Sequence, residues 1–212
     1  NARAKLNQYL APKGSDRRLQ MDSVTMGQVV AGVASYFNPS NAISEQYREG
    51  LVGRTAMADY YENERVWSMA NMSASVTTWI STFTIADGAV SLTVSSLQAA
   101  PIAGQTFTIG TGAGGMYAVH PETKAAYSHL QQFVVTSTVP TAGTQSTIQF
   151  QPPIRISGAR KNVGTATGAD ITPSNFTSQI VRFDGGASTT YPLPLMYHRD
   201  AFTFATAALP MM

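Results

Sequence analysis

From Met69 to about Thr190 the chain carries no helical period. Apolar residues recur there at every second position, in short runs separated by Thr, Ser, Gly and Pro. A period of two is that of a pleated strand with one buried face. The spacing predicts strands at 76–84, 90–94, 106–109, 116–120, 133–137, 147–151 and 179–183. Short strands with turn signals between them predict a small sandwich or barrel. The stretch 152–173 reads as loop.

The centre of this segment, 105–139, holds a glycine-rich turn. Gly110, Gly112 and Gly115 fit G-x-G-x-x-G and follow a strand, the pattern of a dinucleotide site. The context does not suit one. The next residues, Met-Tyr-Ala-Val-His-Pro, alternate and stop at Pro121, so no helix N-terminus is expected behind the glycines to receive a phosphate. The expectation is a β-hairpin turn whose glycines supply positive φ, then a long excursion, then a third extended run at 130–135.

Before Met69 the pattern is different. Residues 2–10 predict a short amphipathic helix with Ala2, Leu6, Tyr9 and Leu10 on one side, stopped by Pro12 and Gly14. A strand is expected at 17–21. Asp22 and Ser23 are good N-cap residues for a helix running to about Phe37, with Met26, Val29, Val30, Val33 and Phe37 at helical spacing. Gly27 and Gly32 each weaken it by about 1 kcal/mol relative to Ala. Asn38-Pro39 ends it, and a second short helix is expected at 41–49 with Gly50 as its stop. Two strands follow, at 55–62 and 65–69. At the far end, Tyr191-Pro-Leu-Pro reads as a rigid connector, and 198–207 as a last strand or helix. Mixed α/β, then β, then a short return gives an α+β class with an inserted domain: residues 1–68, 69–190 and 191–212. Asn1 stands inside the first expected helix without an initiator Met, which reads as a fragment.

Charged residues are 12% of the chain, against about 25% in an average soluble protein. Ser, Thr, Asn and Gln must carry the polar surface. Such a surface suits burial against neighbours, because charge is depleted at interface cores. The net charge is +2, and Arg17-Arg18 and Arg160-Lys161 are only pairs, without the clustered basic face of a dedicated nucleic-acid reader. With no cysteine, disulfides, thiolate catalysis and zinc–thiolate sites are excluded together. No apolar run reaches the roughly 18 residues of a membrane span.

The short motifs carry little chemistry. His198-Arg199-Asp200 spells the start of a kinase catalytic loop, but Ala205 stands where the magnesium-binding Asn belongs. An Arg–Asp pair ordering a strand end is the expected role. His120 and His129 are separated by a loop and read as surface residues without a nearby partner. Glu62 and Glu64 are expected on one exposed strand face. Asn71 and Asn175 fit glycosylation acceptors. The residues therefore point to no catalytic group, no cofactor-binding residue, no metal ligand and no cofactor.

Three stretches together resemble a known family. They are LAPKGSDRRLQMDSVTMGQVV with NPSNAISEQYREGLVGR, then QTFTIGTGAGGMYAVHPETKAAYSHLQQFVV, then LMYHRDAFTFATAALP. In this order and spacing they are similar to the major coat proteins of tailed double-stranded DNA bacteriophages, in the branch with an extra β domain inserted in the axial domain. Relatives tend to show Gly-Phe-Asp where this chain has Met57-Ala58-Asp59, and Phe where it has Tyr197. The resemblance implies that 1–68 is part of the axial domain, 69–190 the insertion and 191–212 the return. It implies self-association into pentamers and hexamers of an icosahedral head, with a scaffolding protein and a portal as assembly partners. It also implies packaged double-stranded DNA held without sequence specificity, no membrane partner and location in the virion after assembly in the host cytoplasm. The upstream arm and spine helix and the closing strands lie outside the chain, so the chain alone is expected to be a monomer or weak oligomer. A β-sandwich binding module of a phage tail or carbohydrate-recognition protein is the alternative reading.

Overall fold

Alternating apolar residues bury themselves only where strands can close over them, and here they do so in a barrel. The structure is a computed structural model that describes residues 2–14, 16–33, 51–55, 58–72, 79–81, 86–95, 99–140, 146–172 and 180–203. Its internal contacts divide the chain into two compact units, Asn1–Ser68 with Pro192–Met212, and Met69–Tyr191. The class is α+β, mostly strand, with two α-helices among the described residues.

The first unit begins with α1 (Ala2–Gln8), β1 (Arg17–Met21) and α2 (Ser23–Val33). Helix α1 ends in a Schellman turn: Leu10 takes φ +59°, its N–H reaches Asn7 O, and Ala11 N–H reaches Leu6 O. Pro12 and Gly14 lie just beyond. Asp22 caps α2 by accepting from Thr25 N at 3.1 Å. The expected continuation of α2 to Phe37 and the helix at 41–49 lie outside the described residues. Then come β2 (Leu51–Thr55) and β3 (Ala58–Glu62), which pair antiparallel with each other. The single strand expected at 55–62 is thus two strands of a hairpin. Strand β3 lies parallel to β1, and β1 is antiparallel to a strand from the far end of the chain, Leu195–His198. The sheet order places β1 and β3 inside, with Leu51–Thr55 and Leu195–His198 at the edges. A row of side chains crosses it, Asn63 Nδ2 to Gln20 Oε1 at 3.3 Å and Gln20 Nε2 to Tyr197 Oη at 3.0 Å.

The second unit runs through β4 (Ser68–Ala70), β5 (Trp79–Ser81), β6 (Ala89–Ser95), β7 (Thr106–Ile109), β8 (Tyr117–Val119), β9 (Ala126–Leu130), β10 (Phe133–Pro140), β11 (Ser146–Ile154), β12 (Val163–Gly164), β13 (Ile180–Phe183) and β14 (Thr190–Pro192). The strand at Leu195–His198 is β15. Six strands close a barrel in the order β10, β11, β6, β5, β13, β7, every pair antiparallel. Two excursions from it build a small sheet, β12-β8-β9: β8 and β9 form a hairpin between β7 and β10, and β12 comes from the link between β11 and β13. Strand β14 pairs with β4, so the expected rigid connector at Tyr191 is strand. Strand β4 begins at Ser68, after a turn, and not at residue 65.

The barrel core follows the period of two. Phe107 and Ile109, Phe133 and Val135, Ile148 and Phe150, Val181 and Phe183 all point inward and are buried. Phe107 is the hub, with ring centroids 5.6 Å from Phe133, 5.6 Å from Phe150 and 5.5 Å from Phe183. Each such ring stabilises the fold by about 1.5–3 kcal/mol through burial, and each good pair adds about 0.5–1.5 kcal/mol. Pro152 and Pro153 have no N–H to donate, and the ladder between β11 and β6 lapses from Gln149 to Ile154. The stretch expected as loop, 152–173, holds the end of β11 and the two-residue β12; the described remainder is irregular, yet Ile156, Val163 and Ile171 are buried. Buried Lys161 ties it together, with Nζ 2.7 Å from both Gly168 O and Asp170 Oδ1.

Candidate functional site

The glycine turn joins two sheets. Strand β7 belongs to the barrel and β8 to the small sheet, so the expected hairpin does not form. Only at the neck do the two approach, where Met116 N donates to Ile109 O. Gly110 and Gly112 take φ +78° and +52°, as expected of turn glycines. Gly115 has ordinary φ; it is small because Leu130 Cδ2 sits where a Cβ would be. Three amides of the turn are already engaged. Gly110 N donates to Ile180 O, Gly114 N to Thr111 O and Gly115 N to Gly112 O. Behind them lies a single 3-10 turn, Gly112–Gly114, and then a strand.

The remaining candidates resolve into structural contacts. In His198-Arg199-Asp200, Arg199 lies 3.4 Å from Asp200 and 3.6 Å from Asp16, while His198 Nδ1 accepts from Asp200 N. This ties the end of β15 to the start of β1. Glu62 closes β3, but Glu64 lies in the following turn and accepts from Ser23 N at the start of α2. The two glutamates therefore do not share a strand face. The histidines are not without neighbours. His120 Nδ1 accepts from Glu122 N and Thr123 N, capping the β8–β9 turn, and its ring is 6.0 Å from Tyr127, which stacks at 5.4 Å on His129. Asn71 is buried, donating to Asp184 O and Gly186 O, both at 3.1 Å. It is a linchpin of the β4 end and not an exposed acceptor. Asn175 lies outside the described residues.

Two carboxylates stand below their ordinary range. The Thr25 side chain, followed by its backbone N–H, holds Asp22 down, with burial pulling the other way. The Ile156 N–H is the main cause at Asp87; burial opposes it and Arg155, 3.1 Å away, reinforces it. Both carboxylates anchor backbone. Among the described residues no group of three His, Cys, Asp or Glu is placed to hold a metal ion, and no helix is long and apolar enough to cross a membrane.

What the first unit offers is surface. Trp67 is 75% exposed, Val24 69% and Phe202 66%. Leu193 and Leu195 are also exposed; Leu193 N donates to Trp67 O, and Phe202 packs edge-on to Tyr197 at 5.3 Å. Next to Leu193 and Phe202 is β15, an edge strand of the four-stranded sheet, which carries Leu195. A sheet edge with apolar side chains alongside is a template for another chain. One further cluster comes together only in the fold: Arg3, Lys13 and Arg17 line one small recess.

A scan against protein-family models finds no match for this chain, and a search of the curated proteins finds none either.

Proposed function

We propose that this chain is part of the major coat protein of a tailed double-stranded DNA bacteriophage or prophage, and that its work is to tile with copies of itself. One observation carries the reading: a sheet assembled from two distant segments of the chain, β1 to β3 and β15, is interrupted by a closed six-stranded barrel. That is the organisation which the resemblance of the three quoted stretches implies for an axial domain with an inserted β domain. The chemistry of the surface agrees. Charge is low at 12%, and the described glycine and histidine motifs are engaged in holding turns.

In the proposed shell, ring contacts are heterologous, each subunit offering one face to a different face of the next. Many weak contacts, correctable one by one, sum to a stable assembly by avidity. The barrel steadies the subunit, the scaffolding protein and portal direct closure, and the shell holds DNA without reading its sequence. A binding module built on the barrel alone is the weaker reading, because it leaves the four-stranded sheet without a purpose. Full-length protein co-expressed with its scaffolding protein is expected to give closed shells in negative-stain electron micrographs. Soluble, folded protein that gives neither shells nor rings would refute the reading.

A further inference from the structure

The recess lined by Arg3, Asn7, Lys13, Gly14 and Arg17 has a volume of about 40 Å³. That is room for about three water-sized oxygens. Its lining contributes three cationic side chains and no carboxylate.

Arg17 is the centre of the recess. It is only 2% exposed, at the start of β1. Its guanidinium is fixed at all three nitrogens: Nε donates to Pro12 O at 3.1 Å, one terminal nitrogen to Asn7 Oδ1 at 2.8 Å and the other to Ala11 O at 2.9 Å. Every one of these acceptors is neutral. They orient the group, and the two carbonyls just past the end of α1 are themselves satisfied by it. They do not neutralise it. Among the described residues no carboxylate forms an ion pair with Arg17; the neighbouring Asp16 has Oδ1 3.6 Å from Arg199 and Oδ2 beside Gly14 at the recess. A buried charge without a counter-charge is costly, and a guanidinium has more N–H groups than these three bonds use. Arg17 lines the recess, and its two unused N–H groups are donors of the kind that suits the oxygens of a phosphate-type anion. Lys13, exposed on the same recess, adds a second positive charge at the rim.

We infer that this recess binds an oxyanion of the phosphate class, with Arg17 as the fixed, buried contact and Lys13 as the outer one. The inference does not rest on the coat-protein reading. The anion's source is either free orthophosphate or a phosphodiester of a nucleic-acid backbone; the chemistry at the recess is the same for both.

The test is calorimetric titration of the 212-residue chain with orthophosphate in a low-salt, phosphate-free buffer. Saturable binding at one site is expected. Lys13→Glu, an exposed change, should weaken it about tenfold or more, the loss of one charge-assisted contact. Arg160→Glu, an exposed charge reversal in the other unit, should leave it unchanged. Arg17→Lys keeps the charge and loses the fork, and should also bind more weakly if circular dichroism shows it folded. Should it fail to fold, Lys13→Glu decides. Absence of saturable binding overturns the inference. So does a Lys13→Glu variant that binds as the parent does, or an Arg160→Glu variant that weakens as much as Lys13→Glu. A short DNA duplex that displaces the phosphate identifies the backbone as the source; a duplex that does not leaves the free anion, and either outcome keeps the site.

Discussion

The barrel and the four-stranded sheet use the same apolar alphabet to different ends. In the barrel, phenylalanines and β-branched residues alternate inward, and a ring of strands closes so that no barrel edge is left open. In the sheet unit, the described buried apolar residues are Met21, Met26 and Ala58, while Tyr9, Leu10, Val24, Trp67, Leu193, Leu195 and Phe202 are exposed. Its sheet has two edges. The barrel unit leaves Val90, Ile102, Val134 and Tyr191 partly exposed, each less so than Trp67, Val24 or Phe202 in the sheet unit. A unit that keeps edges and apolar side chains outside is completed by association. On the proposed coat-protein reading the pair divides the work: the barrel holds the fold and the sheet unit offers the surface for association.

That contrast can be broken most forcefully at Phe107. Phe107→Ala removes the ring shared by Phe133, Phe150 and Phe183 and should cost the barrel about 3–5 kcal/mol. Urea unfolding should show the barrel transition shifting while a second transition stays in place. One transition moving as a whole would mean that the two units do not unfold separately.

The glycine turn sharpens the picture within the barrel unit. A Cβ on Gly110 would lie 2.5 Å from Gly114 O and 2.6 Å from Gly115 Cα, at φ +78°, so Gly110→Ala should cost about 2–4 kcal/mol. Gly112 has open space around it, and Gly112→Ala should cost only about 1 kcal/mol, for its positive φ. Thermal melts of the two variants check the ranking; equal losses would contradict the packing described for the turn.

Asp87→Asn tests a smaller anchor, at about 1 kcal/mol near neutral pH. The sign follows from the lowered pKa of the folded state. A carboxyl depressed below 3.8 when folded stabilises fully above that value and loses its contribution as pH falls through the lower, folded value. The melting-temperature gap between parent and variant should therefore be constant at neutral pH and narrow in acid below about 3.8. A gap that widens in acid contradicts the Asp87 contacts. In the sheet unit, Leu10→Gly should stabilise by up to about 1 kcal/mol, because a branched residue there holds φ +59° at the end of α1.

The strands were legible where side chains alternate. Thr106–Ile109 matches its expected limits, and Arg17–Met21 does likewise. Period-two patterning reports a buried face without naming the strand that covers it. That is why the β7–β8 hairpin was expected and does not exist: both strands alternate correctly, but their partners are β10 and β13 on one side, β9 and β12 on the other. Strand β9 was missed because its residues are half-buried on both faces, leaving no alternation to read. The split of 55–62 into the end of β2 and β3 carries no Gly or Pro to announce it in the sequence. Of the candidate sites, the kinase-like triplet was read correctly as a strand-end tie. The recess at Arg17 was not legible, since nothing in the numbering joins residues 3, 13 and 17 until β1 places Arg17 against the end of α1.

Hydrogen–deuterium exchange, comparing free full-length subunits with assembled particles, tests the central claim most directly. The account predicts that the amides of β7, β10 and β11 exchange slowly in both states, while those of β15 and around Trp67 slow on assembly. Exchange at β15 and Trp67 that is identical in free and assembled protein would contradict it.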